Sequence, residues 1–143
     1  MNRPIVIDAS VAVAAFRDDA RRNSARKLFA IERELAAPAL LLAEAANALW
    51  LDARAPGGDL STSANFLERL ARIVRLEPLE GLTTNAFEIA CALDHPAYDS
   101  YYLALAQREG TVLVTFDERL LNKARATAYG ALVADAKAFT AAL

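Results

Sequence analysis

The chain has 143 residues, of which 55% are hydrophobic and 24% charged, a composition that excludes a disordered chain. With 16 basic and 18 acidic residues the formal net charge is −2, so the totals do not indicate a strongly basic nucleic-acid-binding protein. Contact with RNA would have to come from local arginine and lysine side chains or from a bridging metal ion. The single cysteine, Cys91, excludes an internal disulfide and a cysteine-based metal cluster.

The N-terminal segment favours a cytoplasmic protein. Its apolar run at residues 5–7 is broken at Asp8, too early for a signal peptide, and no uncharged run is long enough to cross a bilayer. The sequence has no repeat, low-complexity tail or long linker, and its one strong loop signal lies at residues 55–59. We therefore expect a single domain over residues 1–143.

The predicted elements alternate between short apolar strands and helices. Strands are expected at 5–7, 111–115 and 131–133, with weaker signals at 34–38 and at 75–78, the latter as an edge strand. Helices are expected at 10–16, from Asp18 onward, at 40–54, from Asp59 or Ser61 to about 74, from Thr83 or Thr84 to 93, at 98–109, from Asp117 to before 129, and at 135–141. This order predicts an α/β fold with a parallel sheet.

Two aspartates lie where such a sheet binds its ligands. Asp8 ends the first strand and Asp117 follows the strand at 111–115. In open parallel sheets ligands bind at the carboxyl ends of the strands, so both acids are expected at the functional edge.

Glu44 and Asp99 join them as acids in apolar surroundings. Glu44 lies mid-helix among leucines and alanines, so capping cannot explain it, and no lysine or arginine adjoins Asp8, Glu44 or Asp99. A buried carboxylate without a partner costs several kcal/mol, and converging carboxylates repel one another. A Mg²⁺ or Mn²⁺ ion removes both problems and supports phosphodiester hydrolysis. Taken singly, Asp8 is better explained as a helix N-cap, and Asp99 and Asp117 as first-turn acids favoured by the helix dipole. The joint occurrence of the four acids is what favours a functional site.

Four motifs containing these acids resemble those of PIN-domain nucleases, in the same order and over essentially the whole chain. Residues 7–11 (IDASV) resemble the first motif, and Glu44 with Asn47 resembles the second. Residues 98–106 (YDSYYLALA) resemble the third, which is the most specific, and residues 115–117 (TFD) resemble the fourth. At this length the chain is most similar to the VapC toxins of bacterial toxin–antitoxin pairs.

The resemblance implies a three-layer PIN-like fold and a Mg²⁺- or Mn²⁺-dependent endoribonuclease. It also implies a homodimer and a small antitoxin that inserts a side chain into the site, and it leaves the RNA target open. Glu118 could compete with Asp117 for the role next to the metal. The roles implied are Asp8 and Asp99 as main metal ligands, Glu44 and Asp117 as acids that hold or activate water, Ser10 and Thr115 as hydroxyls that orient carboxylates, and Asn47 as a residue that orients Glu44 or touches RNA.

Other functions remain open from the sequence alone. A housekeeping PIN nuclease without an antitoxin would carry the same motifs. A phosphatase that forms an aspartyl-phosphate requires Asp-x-Asp, and here the second position is Ser10. A non-catalytic domain could instead bind a partner through an apolar helix face.

Several residues are given structural interpretations. We expect His95 to be a turn residue before Pro96, with a catalytic histidine as the less favoured alternative. We expect Cys91 to be a small core residue and Trp50 a core or dimer-contact residue. Two basic groups are expected to form stripes on helices, most simply as solvated faces and alternatively as phosphate contacts. They are Arg21, Arg22, Arg26 and Lys27 on the second helix, and Arg69, Arg72 and Arg75 on a later one.

Overall fold

The computed structural model describes residues 2–143, which form five strands, eight α-helices and one 3₁₀-helix. In chain order these are β1 (Ile5–Ile7), α1 (Ala9–Phe16), α2 (Arg22–Ala30), β2 (Leu35–Pro38), α3 (Leu40–Ala53), α4 (Leu60–Ile73), β3 (Val74–Glu77), α5 (Thr83–Leu93), α6 (Ala97–Glu109), β4 (Leu113–Thr115), α7 (Glu118–Arg125), the 3₁₀-helix (Ala128–Leu132), β5 (Val133–Asp135) and α8 (Ala136–Ala141).

The strands form one parallel sheet in the order β3-β2-β1-β4-β5, which confirms the predicted α/β class. β1 is the central strand, and its Val6 pairs with Ala36 of β2 on one side and Leu113 of β4 on the other. All three residues of β1 are fully buried, as expected for an uninterrupted apolar strand covered on both faces. β3 lies at an edge, where the sequence predicted an edge strand.

The helices pack in two groups, which gives three layers. α6 lies against β1, β2 and β4, and α5 packs on α6. α1 packs with α2 and α3, and α2 packs with α8. No helix within residues 2–143 is long and apolar enough to span a bilayer.

Two predicted boundaries were wrong for local reasons. The second helix begins at Arg22 instead of Asp18, because the Asp19 carboxylate accepts a hydrogen bond from the backbone N–H of Arg21 and holds a turn there. The last strand is Val133–Asp135 instead of 131–133, because Thr127 caps a 3₁₀-helix that continues to Leu132.

The cap predicted for α5 was also wrong. Leu82 occupies the N-cap position without a side-chain hydrogen bond, and the Thr83 hydroxyl donates to the carbonyl of Leu79. By contrast, Asp59 and Asp135 cap α4 and α8 as expected.

Three single-residue interpretations need correction. Cys91 is exposed, because the buried face of α5 is formed by Ala86, Ile89 and Leu93 and leaves Cys91 on the outer side. Trp50 is 55% exposed and stacks with Arg54, which excludes the core alternative and leaves the dimer contact as a prediction. Arg75 belongs to β3 and not to a helix stripe.

Arg75 is the centre of a surface ion-pair cluster. Its guanidinium contacts the carboxylates of Glu34, Glu77 and Glu109, which lie on three different segments. This cluster ties the edge strand β3 to the loop before β2 and to the end of α6. Arg75 is therefore engaged within the chain and is not available as a free phosphate contact.

Candidate active site

Asp8 lies at the carboxyl end of β1 and is only 6% exposed. It is the N-cap of α1, where its carboxylate accepts from the backbone N–H of Val11 at 3.3 Å. It also accepts from the hydroxyls of Ser10 at 2.6 Å and Thr115 at 2.5 Å. Burial raises the pKa of Asp8 from 3.8 to about 6, although all three hydrogen bonds oppose that rise. Asp8 therefore both caps α1 and belongs to the acidic site.

The hydroxyls of Ser10 and Thr115 link the ends of β1 and β4. Ser10 Oγ accepts from the backbone N–H of Phe116 at 3.1 Å, and Thr115 Oγ1 accepts from that of Asp117 at 3.0 Å. Since each oxygen is held by a backbone donor, each hydroxyl hydrogen is directed at the Asp8 carboxylate. The structure therefore places both residues beside Asp8, where sequence reasoning expected hydroxyls that orient it.

Glu44 reaches the site from the first turns of α3 and is partly buried. Its Oε1 accepts a 2.5 Å hydrogen bond from the hydroxyl of Tyr102, a residue of α6 that is 1% exposed. Burial raises the pKa of Glu44, and the nearby charge of Asp99 raises it further. Asn47 is exposed, and within residues 2–143 the hydrogen bond to Glu44 comes from Tyr102 and not from Asn47.

Asp99 lies in the first turn of α6, and its charge acts on three other groups of the site. Its charge raises the pKa of Asp8, of Glu44 and of Tyr102, in each case in addition to the larger effect of burial. Asp99 and Tyr102 lie three positions apart on α6 and so share a face, and Tyr102 donates to Glu44, which places Asp99 near Glu44. The structure therefore brings Asp8, Glu44 and Asp99 together from three separate elements.

His95, which the sequence favoured as a turn residue, lies beside the site. Its Nε2 lies 2.6 Å from Oδ2 of Asp99, and its side chain is only 4% exposed. With the proton on Nε2 the ring donates to that carboxylate, while Nδ1 is buried without a hydrogen-bond partner in the described part of the chain. The signal in the sequence was its position four residues before Asp99, and the intervening Pro96 obscured it.

Asp117 occupies a more peripheral place than the other three acids. It is the N-cap of α7, where its Oδ1 accepts from the backbone N–H of Leu120 at 3.1 Å. It meets the Asp8 network through its own backbone N–H, which donates to Thr115. Its carboxylate lines a cavity next to the acids, and Glu118 is exposed in the first turn of α7.

The donor set suits a hard divalent cation. Asp8 and Glu44 have raised pKa values, and no lysine or arginine within residues 2–143 forms an ion pair with Asp8, Glu44 or Asp99. Oxygen donors with unneutralised charge are the ligands that Mg²⁺ and Mn²⁺ prefer. As the side chains stand, no three His, Cys, Asp or Glu residues in the described range are close enough to hold a metal ion together.

Comparison with known proteins identifies relatives that span most of this chain. Residues 5–126 match the family model of the PIN domain. Ribonuclease VapC3 of Pyrobaculum aerophilum is 30% identical over 122 residues, which cover 83% of this chain and 93% of that protein. Ribonuclease VapC9 of Mycobacterium tuberculosis is 37% identical over 123 residues, which cover 85% of this chain and 92% of that protein.

Solved structures have the same fold. A crystal structure of a protein from Pyrobaculum aerophilum matches with a TM-score of 0.74 and 26% identity, covering 98% of this chain and 88% of that one. The crystal structure of VapC20 of Mycobacterium tuberculosis, described as a toxin that cleaves the sarcin-ricin loop, matches with a TM-score of 0.62. That match covers 82% of this chain and 94% of the other, and at 22% identity it bears on the fold alone.

Proposed function

Because this chain belongs to the PIN-domain family and has VapC ribonucleases among its relatives, we propose that it is a metal-dependent endoribonuclease acting through Asp8, Glu44, Asp99 and Asp117. The observation that carries the proposal is the convergence of Asp8, Glu44 and Asp99 at the carboxyl edge of the sheet. The charge of Asp99 adds to the effect of burial in raising the pKa values of Asp8 and Glu44, and no basic side chain of residues 2–143 pairs with the three acids except His95. Buried carboxylates without a basic partner destabilise the folded protein, and ionisable groups perturbed in this way cluster at functional sites.

Asp8 and Asp99 are the proposed principal ligands of a Mg²⁺ or Mn²⁺ ion. When bound, the cation would neutralise the acids, polarise the scissile phosphate and ease deprotonation of the attacking water. Ser10 and Thr115 hold Asp8 in one orientation, so its oxygens are positioned before a ligand arrives. His95 holds Asp99 through Oδ2 and Tyr102 holds Glu44 through Oε1, so each acid keeps a second oxygen for a cation. Coordination by three carboxylates would require their side chains to move closer together.

Glu44 is the proposed acceptor of the proton from the attacking water. Its Oε1 is occupied by the Tyr102 hydroxyl, which leaves Oε2 as the proton acceptor. The raised pKa of Glu44 makes its carboxylate a better base than an ordinary surface glutamate. Asp117 supports this reaction from the periphery by holding water at the edge of the cavity.

The partners proposed for this chain follow from its relatives. RNA is the proposed substrate, and a small antitoxin protein that blocks the acidic site is the proposed regulator, as for a toxin–antitoxin pair. We also propose that the active form is a homodimer and that it works in the cytoplasm, where its RNA substrate would be found.

Purified protein tests the proposed reaction directly. Wild type should cleave RNA in the presence of Mg²⁺ or Mn²⁺ and lose activity with EDTA, while Asp99→Asn and Glu44→Gln should lose most cleavage. Glu68→Gln is the matched control, because Glu68 is an exposed glutamate on α4, and it should cleave as wild type does. Full cleavage by Asp99→Asn or Glu44→Gln would contradict the roles proposed here.

Expression in bacteria tests the toxin assignment separately. Wild type expressed alone should arrest growth and produce a defined cleaved RNA, and Glu44→Gln should do neither. Normal growth with an active purified enzyme would contradict the toxin role and leave the ribonuclease role intact.

A further inference from the structure

A cavity of about 610 Å³ lies beside Asp117, outside the group of three converging acids. Its volume falls in the range of about 300–1,000 Å³ that is typical of small-ligand sites. It opens at the carboxyl ends of β4 and β5, next to the start of α2. The residues that line it are Ala20, Arg21, Ser24, Phe116, Asp117, Glu118, Asp135 and Lys137.

Hydrogen bonds link the lining of the cavity to Asp8. The backbone N–H of Phe116 donates to Ser10 Oγ, which in turn donates to Asp8. The pKa of Arg21 is raised mainly by its hydrogen bond to Asp19 and in part by the charge of Asp8. The end of β4 is thus shared by the two places, since Thr115 donates to Asp8 and the following residues, Phe116 and Asp117, line the cavity.

Arg21 and Phe116, which both line the cavity, form a stacked cation–π pair. The Arg21 guanidinium lies 5.3 Å from the centre of the Phe116 ring, and the Phe116 side chain remains partly exposed. Arg21 is 47% exposed and is held by two hydrogen bonds from its guanidinium to Asp19. Unpaired bases stack on phenylalanine rings and on guanidinium planes, so this pair suits a nucleobase.

The charged residues that line the cavity suit different parts of a nucleotide, the carboxylates its base and the lysine its phosphate. Asp117 and Asp135 each direct one carboxylate oxygen at the first turn of the helix they cap, where the N–H groups partly offset their charge. Their remaining oxygens can accept hydrogen bonds from the N–H groups of a base. Lys137 is exposed and forms no ion pair within residues 2–143, so its ammonium group is available for a phosphate.

We propose that this cavity is a nucleotide subsite for single-stranded RNA, in which a base stacks on Phe116 and Arg21 and the adjoining phosphate contacts Lys137. The inference rests on the proposed function, because it assumes that the RNA continues from a phosphate held at the acids. It assigns RNA contacts to Arg21 and Lys137, which lie outside the four acidic motifs, and to Phe116, the middle residue of the fourth motif.

RNA binding without cleavage tests the subsite. The probe is a fluorescein-labelled single-stranded RNA of mixed sequence, titrated with protein in EDTA and measured by fluorescence anisotropy. Phe116→Leu should weaken binding by about 5-fold or more, since it removes the stacking surface while keeping an apolar side chain. Lys137→Gln should also weaken RNA binding. It should reduce the slope of the logarithm of the association constant against the logarithm of salt concentration by about 0.7, the value for one phosphate contact on a single strand.

Control variants distinguish loss of the subsite from a change in overall charge and from damage to the fold. Arg72→Gln removes an exposed arginine on α4 and should leave RNA affinity unchanged. Phe116→Trp should retain binding, which distinguishes lost stacking from a damaged fold, and thermal unfolding should show that all variants are folded. A double-stranded RNA of the same length should bind more weakly than the single strand, and its binding should not respond to Phe116→Leu.

Unchanged affinity in both Phe116→Leu and Lys137→Gln would overturn the subsite. If these substitutions instead weakened only the binding of an arginine-containing peptide, the cavity would be a protein-partner site and the proposal would be wrong. Because the assay needs no cleavage, its failure differs from failure of the proposed reaction, in which Asp99→Asn would cleave RNA like wild type.

Discussion

Replacing Asp8 by asparagine should stabilise the metal-free protein. The pKa of Asp8 rises from 3.8 to about 6 because the carboxylate is buried. The difference between these values corresponds to about 3 kcal/mol of folding free energy that ionised Asp8 costs at pH 8. The asparagine oxygen can still accept from Ser10 and Val11, which both bind Oδ1, but the hydrogen bond from Thr115 to Oδ2 is lost at a cost of about 1 kcal/mol. The net gain should be about 2 kcal/mol.

The dependence on pH has a defined sign. Folded Asp8 binds its proton more tightly than the unfolded chain does, so its contribution to stability falls as pH rises from about 4 through about 6 and is constant above about pH 7. The advantage of Asp8→Asn over wild type should therefore shrink by about 1 kcal/mol between pH 8 and pH 5. Taking the difference between the two proteins removes the titration of all other groups that both share.

Urea unfolding in EDTA, followed by circular dichroism, measures this difference. Asp18→Asn is the matched control, because Asp18 is fully exposed and its substitution should change stability by less than about 0.5 kcal/mol. If Asp8→Asn were less stable than wild type at pH 8, or if its advantage did not depend on pH, the reasoning from burial would be refuted.

Further predictions concern the metal, the neighbours of the acids and the edge strand. Mn²⁺ at 100 times its dissociation constant should stabilise wild type by about 2.7 kcal/mol and Asp8→Asn far less, and equal shifts in thermal unfolding would contradict a role for Asp8 in metal binding. Tyr102→Phe should lower kcat with little change in KM, because it removes the donor that orients Glu44, and unchanged steady-state kinetics would show that this hydrogen bond is dispensable. His95→Ala should weaken Mn²⁺ binding measured by calorimetry by about 10-fold or more, with partial recovery in His95→Gln, because Asp99 loses its donor. Arg75→Met should destabilise the fold by about 1 kcal/mol in urea unfolding, since three carboxylates lose their shared cation, and a stable variant would show that the cluster is energetically neutral.

The sequence by itself predicted the class of the fold, which the structure confirms, and the acids that we propose for the site. The apolar run before Asp8 predicts a buried parallel strand because each of its side chains must be covered on one face or the other. Capping is likewise a local interaction, so the helix starts at Asp59, Asp117 and Asp135 could be predicted from neighbouring residues. Glu44 was identified because a carboxylate in an apolar stretch of helix has no simple structural explanation.

The tertiary structure alone decided how the acids are held. Tyr102 and Glu44 are 58 positions apart, and Thr115 and Asp8 are 107 apart, so no local pattern predicts either hydrogen bond. The same holds for Arg75, whose partners come from separate segments that meet only when β3 pairs with β2. Hydrophobic periodicity specifies which face of an element is buried, whereas the partner of a polar side chain depends on which elements the completed sheet places side by side.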